Sequence, residues 1–182
     1  MLPDGLPPPP SARRSWAERD RLWSQTLHRA AAMPFVMSAL IGVSRLSDGI
    51  LWYATILVLP WVAGASGTAC ALRMTALGAV DLVIYKILKR HFARPRPYVA
   101  CPDIRACTRS LDEHSFPSGH TLHAVAFSCM LYAYWPAIAW IVWPFTAVVA
   151  LARVVLGLHY PSDVVAGAAI GAFMAESMLV LF

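Results

Sequence analysis

The chain has 182 residues, enough for one domain. Hydrophobic residues make up 58% and charged residues 14%, against roughly 45–50% and about 25% in soluble domains, which excludes an ordinary soluble protein of this size. The formal charge of +5 does not indicate a nucleic-acid partner, because long apolar stretches surround its basic residues.

Residues 1–25 begin Pro-rich (MLPDGLPPPP) and turn charged, the composition of a disordered tail. No apolar h-region precedes a small-residue cleavage site there, so membrane entry is assigned to internal segments of a domain over residues 26–182. The chain becomes amphipathic at Leu22 and apolar over 30–43, and Ser44-Arg45-Leu46-Ser47-Asp48-Gly49 reads as a polar turn. Apolar stretches follow at 50–66 and 69–88, then a polar segment at 89–118, then apolar stretches at 119–135, 138–157 and 164–182. A spanning helix needs about 20 largely apolar residues. The predicted fold is therefore all-α, an integral membrane bundle of six transmembrane helices. The first is marginal unless it begins near Leu22 and Arg29 extends to the headgroups.

Arg13, Arg14, Arg19, Arg21 and Arg29 mark the amino terminus as cytoplasmic. Six crossings then put segment 89–118 and the turn at His159 outside, with the site at the outer helix ends. That segment is itself basic, against the charge rule, which points to a functional use of its cations. It also carries Cys101 and Cys107, close enough in sequence to bridge in an exported loop. Cys70 and Cys129 fall in apolar helices and read as packing residues, and Asp81 as an intramembrane acid paired with a basic or hydroxyl group. Gly167 and Gly171 make a small-residue face for close helix packing, within the chain or in a homodimer.

Three polar clusters lie at predicted helix ends: Lys89 to Pro97, Ser115 to His120, and Arg153 to Asp163. Ser118 is a good N-cap residue, and Gly119 lets an anion approach the free amides of a helix start. His120 stands in that first turn. Asp163, four residues after His159, can accept the Nδ1 proton and leave Nε2 as a lone pair, the arrangement of an activated nucleophile. Lys89, Arg96 and Arg153 supply the positive charge that phosphoryl transfer requires around its equatorial oxygens. Arg153 sits near the end of an otherwise apolar helix, where a cation is costly and usually functional.

Together these clusters resemble the type 2 phosphatidic acid phosphatase family, which also includes vanadium haloperoxidases and glucose-6-phosphatase. The family motifs Lys-x6-Arg-Pro, Pro-Ser-Gly-His and Ser-Arg-x5-His-x3-Asp correspond to Lys89 through Arg96-Pro97, Pro117-Ser118-Gly119-His120, and Arg153 through His159 to Asp163. Ala152 stands where the third motif usually has Ser. The resemblance implies His159 as nucleophile, Asp163 as its orienting partner, and His120 as general acid and then base. Lys89, Arg96, Ser118, Gly119 and Arg153 would bind the phosphate, with no metal and no cofactor. It implies a lipid phosphatase of the bacterial inner membrane with its site facing the periplasm, acting through a phosphohistidine. Undecaprenyl diphosphate is the expected substrate; phosphatidic acid, phosphatidylglycerol phosphate and lipid A phosphate are alternatives. Rival readings are a lipid-to-lipid phosphotransferase, a haloperoxidase and a non-catalytic lipid transporter. His123 is assigned to packing or substrate contact, and His91 and His114 to the solvated loop.

Overall fold

The computed structural model describes residues 15–181, which are helical with no strand among them. Helix α1 (Trp16–His28) starts at a capping box in which the Glu18 amide donates to Ser15 Oγ and the Ser15 amide donates to Glu18 Oε2. A 3₁₀ turn, Arg29–Ala32, leads into α2 (Pro34–Leu46), whose first position is the proline that needs no amide partner. The expected tail boundary at residue 25 therefore falls inside a helix, and residues 1–14 lie outside the described residues.

The stretches at 50–66 and 69–88 form one helical run, α3 (Ile50–Phe92), broken at Gly64. Gly64 adopts φ 56° and ψ −131°, a backbone that a side chain resists. The break reverses the chain: a Cβ on Gly67 would collide with the Leu59 carbonyl eight residues earlier. The halves 50–63 and 65–92 therefore form a helical hairpin. A short turn, α4 (Pro97–Ala100), lies in the polar segment, followed by α5 (Gly119–Tyr134), α6 (Ala139–Val155) and α7 (Pro161–Leu181).

Helix α5 occupies the centre, against α3, α6 and α7, and is buried along most of its length. The small-residue face of α7 packs within the chain, because Gly167 and Gly171 meet the Ser118 and Leu122 backbone of α5 so closely that neither admits a Cβ. This crossing brings the start of α7 beside the start of α5 and sets Asp163 under Ser118, whose amide donates to the Asp163 carbonyl at 3.0 Å. Trp52 packs on Phe127 and Phe145 to close the core beneath. The outward faces carry exposed Leu57, Trp61, Val83, Trp140, Phe173 and Val180, the surface of a membrane bundle.

Among the described residues, three helical regions are long and apolar enough to cross a membrane: the run 50–100, Pro136–Val155 and Pro161–Leu181. The first expected span passes that test only as α1 and α2 together, across a bend of 110°. Both parts of this bent pair reach the end of the bundle that carries the polar clusters. Asp20 of α1 bonds Arg94 and Ser162, Gln25 Nε2 donates to Asp103 at 3.3 Å, and Ser44 at the end of α2 accepts from Arg153. Helix α1 thus lies on the same face as segment 89–118, not across the membrane from it. Charge counting missed this because an amphipathic helix lying along an interface is as Arg-rich as a cytoplasmic flank.

Two further expectations are corrected. Cys101 and Cys107 are free thiols, the first buried against Tyr160 and the second turned toward the Arg105 carbonyl. Asp81 is fully buried, but neither carboxylate oxygen has a partner among the described residues.

Candidate active site

The three polar clusters meet at one end of the bundle, and each arrives on a helix terminus. The last turn of α3 carries Lys89; Arg96 follows after the chain leaves the helix through Ala93, which sits in the left-handed region at φ 43°. Helix α5 begins with Gly119 and His120, and α6 ends shortly after Arg153. The turn between α6 and α7 holds His159, and Pro161 at the first position of α7 places Asp163 in its first turn. Gly157, at φ 76°, shapes that turn where it passes against the Arg105 carbonyl. Lys89, Arg96, Ser118, Arg153, His159 and Asp163 are all buried.

His159 Nδ1 is 2.7 Å from the Ser115 carbonyl, an acceptor, so Nδ1 carries the proton and Nε2 is the lone pair. The Asp163 carboxylate is 3.7 Å from Nδ1, beyond a hydrogen bond, which corrects the expectation that it accepts the Nδ1 proton directly. Its oxygens are taken elsewhere: Arg94 donates to Oδ1 at 2.7 Å and the Tyr160 amide donates to Oδ2 at 2.8 Å. On the other ring edge, Arg96 Nη1 is 3.3 Å from Nε2 and donates to the Leu158 carbonyl at 2.8 Å.

Arg96 and Lys89 share one counterion that the motifs did not announce. Asp112 Oδ1 accepts from Arg96 Nη2 at 2.6 Å and from Lys89 Nζ at 2.9 Å. Burial pushes the Asp112 carboxyl up, but the bonds from Lys89 and Arg96 outweigh it and hold the group below the usual carboxylate range. Lys89 also donates to the His114 carbonyl at 2.7 Å. Arg153 donates to Ser44, while its buried Nε has no partner among the described residues. An unpaired buried donor costs about 1–3 kcal/mol, which an anion in the pocket would offset.

Ser118 sits at the N-cap of α5, yet its side chain caps no amide and pairs with Thr121 Oγ1 at 3.0 Å. His120 Nε2 bonds Asp48, from the segment that the sequence offers only as a polar turn. His123 bonds the Gly119 carbonyl at 2.8 Å, stacks edge-on against Tyr85 and lines the site cavity. His91 lies on the last turn of α3 with its ring against Phe92, and His114 contributes its carbonyl to Lys89.

These groups form the polar end of a cavity of about 690 Å³ lined by Lys89, Arg96, Asp112, Gly119, His120, Arg153 and His159. The same cavity continues between the halves of α3, lined there by Trp52, Ile56, Leu57, Met74, Leu82 and Phe127. It therefore offers a cationic end for an anion and an apolar channel for a hydrocarbon chain. Among the described residues no group of His, Cys, Asp and Glu side chains has the makeup of a metal site.

The site sets a sign for the pH dependence of stability. Burial, with the charges of Arg153, Arg96 and Lys89, holds the His159 imidazole well below its ordinary value of 6.5. The folded protein keeps it neutral while the unfolded chain takes up a proton, so its stabilising contribution is present above 6.5 and is lost as pH falls below it. The expected result in detergent is a melting temperature that declines from pH 7 to pH 5, with a shallower decline in His159→Gln. Equal slopes for the two proteins would remove His159 as the cause.

A helical bundle whose buried cations and imidazoles meet at one end of an apolar channel defines a membrane protein with a cationic pocket open to that channel. The PAP2 superfamily matches residues 68–182, and the chain belongs to that family. It is 30% identical over 116 residues to the undecaprenyl-diphosphatase BcrC of Bacillus subtilis, an alignment covering 63% of this chain and 60% of that one. The alignments to the curated relatives span about half of those proteins' own length. The fold is similar to that of a transmembrane PAP2 type phosphatidylglycerolphosphate phosphatase from Bacillus subtilis (TM-score 0.71, 21% identity, 92% of this chain and 87% of that one). It is also similar to that of Aquifex aeolicus LpxE (TM-score 0.75, 23% identity, 87% of this chain and 94% of that one).

Proposed function

We propose that this protein is a metal-independent lipid phosphatase that hydrolyses a phosphomonoester or diphosphate of a membrane lipid through a phosphohistidine on His159. The observation that carries the reading is the His159 ring. Its Nδ1 is committed to the Ser115 carbonyl, and its unprotonated Nε2, 3.3 Å from Arg96 Nη1, lies at the cationic end of an apolar channel. In the first step Nε2 attacks phosphorus, and the bond to the leaving oxygen breaks as His120 delivers a proton to it. In the second step His120 takes a proton from water, whose oxygen attacks phosphorus, and the bond to Nε2 breaks, releasing phosphate. Lys89, Arg96, Arg153 and the Gly119 amide bind the equatorial oxygens, where the charge is spread. Asp48 orients His120 through its bond to Nε2.

Undecaprenyl diphosphate is the proposed substrate, supported by the similarity to BcrC and by a channel suited to a polyprenyl chain. Phosphate release by the detergent-solubilised protein, measured across polyprenyl diphosphate, phosphatidic acid, phosphatidylglycerol phosphate and lipid A, tests it. The polyprenyl diphosphate is expected to give the highest kcat/KM, and another lipid in first place would replace it as substrate. Turnover is expected to survive EDTA, since fixed cations occupy the positions around the phosphate, and to be inhibited by vanadate, which imitates the transferring phosphoryl group. Activity lost to EDTA and restored by magnesium or zinc would overturn the metal-independent part.

An exported carrier headgroup requires the site to face the periplasm, and that orientation is part of the proposal. With α1 on the site's own face, the charge rule now counts Arg19, Arg21 and Arg29 together with segment 89–118 and weighs against it. The check is a cysteine at Thr108 in a background lacking Cys101 and Cys107, treated with a membrane-impermeant maleimide. Labelling of intact cells is expected. Labelling only after lysis would turn the site inward and replace the exported carrier with a lipid phosphate of the inner leaflet.

A further inference from the structure

Arg94 lies between Lys89 and Arg96 in the first motif, and the motif assigns it no role. Its guanidinium nonetheless holds three side chains beside the nucleophile. Nη1 donates to Asp163 Oδ1 and to Ser162 Oγ, each at 2.7 Å, and Nη2 donates to Asp20 Oδ2 at 2.6 Å. One face of the group stacks on the Tyr160 ring, 4.0 Å from its centroid. Asp20 of α1 closes the arrangement by accepting from the Ser162 amide at 3.0 Å and from its hydroxyl. The Arg94 carbonyl in turn accepts from the Ser115 amide at 2.9 Å, and the Ser115 carbonyl is the acceptor for His159 Nδ1.

We propose that Arg94, anchored by Asp20, is a positioning residue for His159: its side chain fixes the Asp163 carboxylate facing Nδ1, and its backbone fixes the Ser115 carbonyl that takes the Nδ1 proton bond. The inference rests on the reading of His159 as nucleophile. A fully buried carboxylate next to an imidazole is expensive unless it is paired. Arg94 supplies that pairing through Oδ1, while Oδ2, held by the Tyr160 amide, faces Nδ1 at 3.7 Å, which leaves Ser115 as the hydrogen-bond acceptor. Without the guanidinium, Asp163 either takes a proton or swings onto Nδ1, and each outcome rotates the ring and re-aims Nε2. Only a planar fork can reach Asp163, Ser162 and Asp20 from one side chain. Helix α1, packed on this face, thereby becomes part of the support of the active site.

The test is turnover of a polyprenyl diphosphate by the full chain in detergent, with folding checked by gel filtration and melting temperature. Arg94→Ala is expected to lower kcat by about 30–100-fold with KM held within about threefold, because the group touches the nucleophile's support and not the substrate. Asp20→Asn is expected to lower kcat by about 3–10-fold, and Arg94→Ala added to Asp163→Asn by less than about threefold, since the two residues act as one unit. A folded Arg94→Ala with wild-type kcat, a loss confined to KM, or an undiminished loss in the Asp163→Asn background would overturn the proposal. If Arg94→Ala does not fold, Arg94→Lys carries the test, because an ammonium cannot bridge Asp163 and Asp20 together; wild-type kcat there also overturns it. His159→Ala is run alongside. Activity in that variant removes the nucleophile and this inference with it. Inactivity there with normal kcat in the Arg94 variants removes the positioning role alone.

Discussion

His159→Ala is expected to lose turnover by about four orders of magnitude or more while still folding and inserting, because both covalent steps of the proposed mechanism pass through its Nε2. The structural cost of the change is small by comparison. The ring is buried and its Nδ1 bonds the Ser115 carbonyl, so truncation leaves a cavity and one unpaired acceptor, about 1–3 kcal/mol for the latter. A melting temperature in detergent separates that loss from the loss of chemistry. Rapid quenching in alkali should trap acid-labile phosphate on the wild-type protein and none on the variant. Residual turnover above about 1% of wild type, far more than loss of a covalent nucleophile leaves, would overturn the assignment.

The second largest effect is expected at Arg96. This guanidinium spans the Leu158 carbonyl, both the carbonyl and the carboxylate of Asp112, and the edge of His159 Nε2, so it adjoins the reacting atoms and the loop over them. It also lines the cavity, and in the proposed mechanism it donates to a phosphoryl oxygen that gains charge. Removing one preorganised donor of this kind costs about 10²–10³ in rate, so Arg96→Ala should reduce kcat/KM by at least that factor and weaken vanadate inhibition in parallel. Arg96→Lys should recover little, because an ammonium keeps the charge but not the fork that reaches Leu158, Asp112 and His159 at once. A loss below about tenfold would move Arg96 from the phosphate site into the loop scaffold, since hydrogen bonds of that kind are worth about 1 kcal/mol each.

Much of this protein is settled locally, along the chain. Helix formation and membrane residence follow from composition and from apolar stretches of spanning length, because a bilayer leaves the backbone no partner but itself. The motif residues Lys89, Arg96, Ser118, Gly119, His120, Arg153, His159 and Asp163 are legible for a related reason. Each stands at a helix terminus or within a few residues of one, where spacing along the chain already predicts which end of the bundle the groups reach.

What the chain could not specify by itself is every contact made between segments far apart in sequence. Asp112 as shared counterion of Lys89 and Arg96, Ser44 as partner of Arg153, and Asp48 as partner of His120 come from segments that read as ordinary loop and turn. The nearest acceptor of the His159 proton is a backbone carbonyl, and no side-chain pattern encodes a carbonyl's direction. The placement of α1 is of the same kind. Its sequence, amphipathic and Arg-rich, suits a cytoplasmic flank and an interfacial helix equally, and the ion pair of Asp20 with Arg94 resolves it to the site's face. Local physics determines which elements form; which faces meet is decided by packing of the whole bundle, here by the glycine contact of α7 with α5 that draws three helix ends into one pocket.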